Sequence, residues 1–169
     1  MRGKWASGIP PRHLTWVLPD RLAASERPGG KTLNHRKVRR QEEIIWLREN
    51  NFSVVISILD SPQNLAAYEE LAMPARHHPI PTTGDMSVAL VGLYEELAAR
   101  QRAQETVLLH GDELGDRLIG VIAGFLLWTG RLQGAPEATS VVERLFGRQL
   151  GPEGRALAAG ADALPPPGQ

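Results

Sequence analysis

The densest set of groups able to do chemistry lies in the run Val107-Leu108-Leu109-His110-Gly111-Asp112-Glu113-Leu114-Gly115-Asp116-Arg117-Leu118-Ile119-Gly120. It reads as a buried strand, a short acidic loop from Gly111 to Asp116, and the start of an apolar helix. A strand that turns tightly onto a helix N-terminus aims several backbone N–H groups and the positive end of a helix dipole at one point, and such a point binds anions. Arg117 adds a guanidinium to it. Asp112, Glu113 and Asp116 oppose it, because a phosphate dianion about 6 Å from a carboxylate is repelled by several kcal/mol at an effective dielectric near 20. Those carboxylates are themselves favoured at a helix N-terminus, by roughly 0.3–1 kcal/mol each, so the loop is able to supply an anion of its own.

None of the 169 residues is a cysteine. Disulfides, thiolate metal sites and every cysteine nucleophile are therefore excluded. Asp112 and His110 are the nearby substitutes, but a phosphoaspartate route wants a carboxylate at the strand end with a metal and a second carboxylate, and that spacing is absent. No cofactor and no metal is expected. His77-His78 does not change this, since neighbours on a strand point to opposite faces and favour packing over a shared ion.

Nineteen basic and nineteen acidic side chains cancel to a formal net charge of zero. With no global field, a nucleic-acid partner is not expected. Charge is uneven only locally: Lys31, His35, Arg36, Lys37, Arg39 and Arg40 form one basic cluster. It either meets an acidic partner or is the solvated start of a helix balanced by Glu42 and Glu43. The longest apolar run, Leu118 to Trp128, is about half a membrane span, and Met1 to His13 lacks an apolar stretch of signal-peptide length. The expectation is a cytoplasmic protein with no membrane partner.

The elements that position the loop alternate between strand-like and helix-like. Leu14–Leu18 and Arg21–Ala24 read as short strands around a Pro19-Asp20 turn, followed by the Arg27-Pro28-Gly29-Gly30 loop. A helix runs from about Asn34 to Asn50, where Asn50-Asn51 stops it. Phe52 to Leu59 is β-branched and almost wholly apolar, as a central strand covered on both faces requires. A short helix near Asn64–Leu71, an extended Ala75–Ile80, an amphipathic helix over Ser87–Gln101, and helices over Arg117–Thr129, Ala135–Gly147 and Pro152–Ala159 complete the pattern. This predicts a single α/β domain over 13–159, with a mixed or mainly parallel sheet of four or five strands flanked by helices. Residues 1–12 are expected to be flexible and 160–169 to form a disordered Pro/Gly-rich tail.

The loop resembles the phosphate-binding loop of the dual-specificity and protein tyrosine phosphatases, V-H-C-x-x-G-x-x-R-[ST]-G. His110, Arg117 and Gly120 are read at the positions of its histidine, arginine and closing glycine, and Gly111 stands where the family has its catalytic cysteine. Trp16-Val17-Leu18-Pro19 with Arg21-Leu22-Ala23 is similar to the family's early W-x-x-P-x-x-L-A segment. Phe52–Leu59 resembles its V-V-S-L strand, and His77–Pro81 the stretch before its general-acid loop. The resemblance spans about Leu14 to Leu150 and implies the family's fold.

It also implies roles. The family's cysteine thiolate attacks phosphorus, the loop N–H groups and arginine hold the phosphoryl oxygens, and an aspartic acid protonates the leaving group. Here the nucleophile position is vacant, and the acid's position falls on Thr82, with Asp85 three residues later as substitute or as a helix cap. The hydroxyl that assists thiolate departure falls on Leu118, and His110 takes the family's structural histidine role. The resemblance thus implies a phosphatase-like protein without cysteine-dependent activity, a binding or regulatory module. Its loop residues His110, Asp112, Glu113, Leu114, Gly115, Asp116 and Arg117 would meet a phosphorylated or cationic protein or small ligand. The alternative is an active phosphoester hydrolase in which Arg117 binds phosphate and water or Asp112 attacks.

Overall fold

A computed structural model describes residues 8–30, 36–62 and 65–168. The chain divides into two compact units, Met1–Ile80 with Arg100–Leu114, and Pro81–Ala99 with Gly115–Gln169.

The first unit holds a five-stranded sheet in the order β1-β2-β5-β3-β4, built from β1 (Thr15–Leu18), β2 (Leu22–Ser25), β3 (Val54–Ser57), β4 (Ala75–His77) and β5 (Val107–His110). β1 pairs antiparallel with β2 and the remaining pairs are parallel, so the sheet is mixed. Leu18 accepts the Arg21 N–H at 2.9 Å across Pro19-Asp20, and Asp20 sits at φ 61°. Proline fixes the first turn position and aspartate tolerates the left-handed second one.

Every residue of β2, β3 and β5 is buried, which explains runs with no polar alternation. On one face, Ala23, Val55 and Leu108 pack with Ile44 and Leu47 of α1 (Arg36–Glu49), Tyr68 of α2 (Leu65–Glu70), Phe52 and Met73. Burial of each large aliphatic or aromatic side chain there contributes roughly 1.5–3 kcal/mol.

α1 ends where its asparagines predict, by a double hydrogen bond. Phe52 N–H reaches the Leu47 carbonyl at 3.0 Å and Asn51 N–H the Arg48 carbonyl at 3.3 Å, with Asn51 at φ 65°. Asparagine accepts that left-handed geometry more readily than most residues. Of the expected flexible start, residues 8–12 instead dock: Ile9 N–H bonds the Glu42 carbonyl and Pro11 is buried. Residues 1–7, and Lys31 and His35 of the basic cluster, lie outside the described residues.

The second unit is helical: the body of α3 (Ser87–Arg102), α4 (Asp116–Trp128), α5 (Ala135–Phe146), α6 (Pro152–Gly160) and a 3₁₀ turn, Ala161–Ala163. Leu118 to Trp128 is buried along its whole length, so its hydrophobicity serves a core. α4 crosses α6 where Gly120 meets Gly154; a Cβ on Gly120 would stand 2.5 Å from the Gly154 Cα. Only glycine permits that approach.

Two contacts involve the segment expected to form the tail. Ala161 is buried, and the Trp128 indole N–H donates to the Pro165 carbonyl at 2.7 Å. A buried indole needs an acceptor, and the tail provides it. Among the described residues, no helix is long and apolar enough to cross a membrane.

Candidate functional site

The order of the sheet decides where the loop starts. β5 is last in sequence but lies between β2 and β3, with His110 level with Ser25 on one side and Ser57 on the other. The carboxyl end of a strand inserted where the strand order reverses is the usual place for a ligand crevice in an α/β sheet.

His110 is fully buried, and two contacts define its state. Its Nδ1 lies 2.8 Å from the Gly111 carbonyl and its Nε2 3.3 Å from the Tyr68 hydroxyl. A carbonyl only accepts, so Nδ1 carries the proton and Nε2 accepts from the tyrosine. Burial pushes the imidazole pKa down to about 4, against a smaller opposing pull from its bond to Gly111. Burial likewise raises the Tyr68 phenol, keeping it a donor. His110 is therefore a neutral bracket that holds the first loop peptide, not an acid or base at neutral pH.

Gly111 is buried with ordinary, not positive, φ. A Cβ there would meet the Ile58 side chain at 3.6 and 3.7 Å and the Glu113 carbonyl at 3.7 Å, which is normal van der Waals contact. The backbone does not demand glycine; it leaves room for a Cβ that the sequence omits. Asp112 pairs with Arg27 at 3.4 Å, the arginine being only 12% exposed, while Glu113 is exposed.

In the second unit, Gly115 precedes α4 with no side-chain cap. Asp116 turns to another helix: its carboxylate accepts the N–H groups of Gly151 at 2.5 Å and Gly154 at 2.9 Å, at the start of α6. The loop carboxylate thus fills a helix N-terminus, as expected, but that of α6. Arg117 donates to the Glu153 carboxylate at 2.6 Å and to the Pro81 carbonyl at 2.8 Å. Leu118, at the position of the family's hydroxyl, is 1% exposed.

Asp85 forms the turn into α3, accepting the Ser87 N–H at 2.8 Å. Hydrogen bonds from the Ser87 side chain and then its N–H hold this carboxyl below the usual range. A general acid must keep its proton until transfer, so these contacts tune Asp85 the wrong way. His77 bonds the Leu59 carbonyl through Nε2, a packing role. Counting the motif along the chain puts its two glycines at Leu114 and Ile119; Gly120 falls one residue late and serves the helix crossing.

Sequence reasoning missed Tyr68, Arg27 and Glu153, and the two α6 N–H groups. The only local signal was Gly151-Pro152, a helix start whose free N–H groups want an anion.

No family model matches the sequence, and no curated protein matches it. Solved structures do. Kinase-associated phosphatase, with its catalytic cysteine changed to serine, matches at TM-score 0.74 and 21% identity over 91% of this chain and 96% of that one. Tk-PTP in its active form matches at 0.68 and 19%, over 89% and 97%. The core catalytic domain of the PP-IP phosphatase SIW14 from S. cerevisiae, in complex with citrate, matches at 0.67 and 14%, over 94% and 88%. The chain has the α/β fold of the dual-specificity and protein tyrosine phosphatases.

Proposed function

We propose that this protein is a phosphatase-fold binding or regulatory module that lacks cysteine-dependent phosphatase activity. Gly111 carries the reading: where a thiolate would attack, there is a hydrogen atom, and the sequence holds no cysteine to replace it. Without a nucleophile no covalent phosphoenzyme forms, and that route to hydrolysis is closed. The other roles agree. Asp85 is held ionised, Leu118 has no hydroxyl, and Arg117 is already bonded to Glu153 and Pro81.

Direct hydrolysis with Asp112 as nucleophile is less well supported, because Arg27 draws that carboxylate into an ion pair. The loop's remaining capacity is to bind. Its arginine offers an exchangeable anion contact, since a partly exposed ion pair contributes only about 0–1 kcal/mol.

The test is a comparison of wild type with Gly111→Cys on a generic aryl phosphate. The wild type should release no phosphate above the rate of an Arg117→Ala control, whereas Gly111→Cys, whose Cβ fits, should gain measurable turnover. Wild-type turnover at an enzyme-like rate, lost in Arg117→Ala, would overturn the proposal. Protection of the wild type against thermal unfolding by phosphate or vanadate reports separately on whether an anion is still accepted.

A further inference from the structure

At the opposite end of the sheet from the loop, the first unit has a cleft of about 420 Å³ lined by Trp16, Asp20, Arg21, Trp46, Asn50, Asn51 and Thr106. It lies beside the amino ends of β5 and β3, where Val107 N–H bonds the Arg21 carbonyl and Ser53 N–H the Thr106 carbonyl. None of its residues belongs to the phosphatase-like motif loop.

The lining has two kinds of surface. Trp16 and Trp46 are half-buried indoles braced from behind by Phe52, at ring-centre distances of 5.4 and 6.0 Å. Around them stand two carboxamides, a carboxylate, a guanidinium and a hydroxyl. Asn50 is partly used, donating to the Trp46 carbonyl at 2.9 Å, and the Thr106 hydroxyl donates to the Asp20 carbonyl at 2.8 Å. The Asp20 carboxylate and the Asn51 carboxamide have no protein partner among the described residues.

Charge and hydrogen-bond type narrow the ligand. One acid and one guanidinium leave the lining formally neutral, which favours neither a phosphate nor a cationic peptide. Indole faces take the flat or C–H face of a ring. The polar groups include unpartnered acceptors as well as donors, and a proline-rich peptide, which offers carbonyl acceptors and few donors, would leave those acceptors unmatched. Hydroxyl groups both donate and accept, so they satisfy every group in the set. We propose that this cleft is a binding site for a neutral saccharide, its ring against the tryptophans and its hydroxyls against Asp20, Asn50 and Asn51. The volume lies within the range of small-molecule sites.

The experiment uses the full chain against an immobilised panel of neutral glycans, with anionic glycans and an oligoproline peptide alongside. At least one neutral glycan should be retained and should perturb tryptophan emission. Asn51→Gly, which keeps the positive φ without strain, should weaken that binding by about tenfold, the loss expected for one hydrogen bond to the ligand. Trp46→Phe, which keeps a ring against Phe52, should weaken it further. Both variants should retain the wild-type unfolding temperature to within a few degrees. Failure of every neutral glycan, equal binding by Asn51→Gly, or retention of only the peptide or the anionic glycans overturns the proposal. Gly111→Cys and Arg117→Ala should leave glycan binding unchanged, so the two sites fail or succeed independently.

Discussion

Acidification should unfold this protein through His110, and the size of the effect follows from its burial. In the unfolded chain the imidazole takes a proton near its ordinary pKa of 6.5; in the folded protein, burial delays that to about 4. Between those values the unfolded state binds more protons, so stability rises with pH across the window. The contribution is complete above 6.5 and is lost as pH falls through 4. At 1.36 kcal/mol per pKa unit, the difference amounts to about 3 kcal/mol, or roughly 6–12 °C in unfolding temperature for a chain of this length.

Urea unfolding at a series of pH values from 7.5 to 4, on wild type and His110→Gln, isolates that share. Glutamine keeps an acceptor for the Tyr68 hydroxyl but does not titrate. Carboxylates such as Glu43, whose pKa burial raises, act equally in both proteins and cancel in the difference. Wild type should lose about 3 kcal/mol more than His110→Gln on going from pH 7 to 4. Parallel loss in the two proteins would refute the assignment of His110 as a neutral bracket of the loop.

Two further perturbations address the second unit. Gly120→Ala places a methyl group 2.5 Å from the Gly154 Cα and should destabilise by about 1–3 kcal/mol through forced separation of α4 and α6, seen as a lower urea midpoint with an unchanged slope. Asp116→Ala leaves two N–H groups at the start of α6 without their carboxylate; it should cost about 1–3 kcal/mol and raise amide exchange first at Gly151 and Gly154.

Much of the scaffold is legible in the chain because its signals are local. The apolar run at Val54–Ser57 marks a strand covered on both faces. Asn50-Asn51 stops α1 because one asparagine bonds back to Trp46 and the other takes a left-handed turn. Pro19-Asp20 reverses the chain for the same kind of reason. The docked ends were not legible: the bond from Trp128 to Pro165 joins residues 37 positions apart, and composition alone reads such a segment as loose. The partners of the loop were hidden similarly. Tyr68 lies 42 residues from His110, Arg27 lies 85 from Asp112, and Glu153 lies 36 from Arg117.

What the sequence by itself determined is a matter of which atoms are present: no sulfur nucleophile at Gly111, no hydroxyl at Leu118, and a histidine, an arginine and three carboxylates in one short loop. No folding can add a group the chain lacks. Only the tertiary structure decided what the groups present are bonded to, and so what state each holds. Burial beside Tyr68 makes His110 neutral, the start of α6 takes Asp116, and Glu153 takes Arg117. A side chain's charge and partners depend on desolvation and on neighbours brought from distant parts of the chain, and those are set by packing.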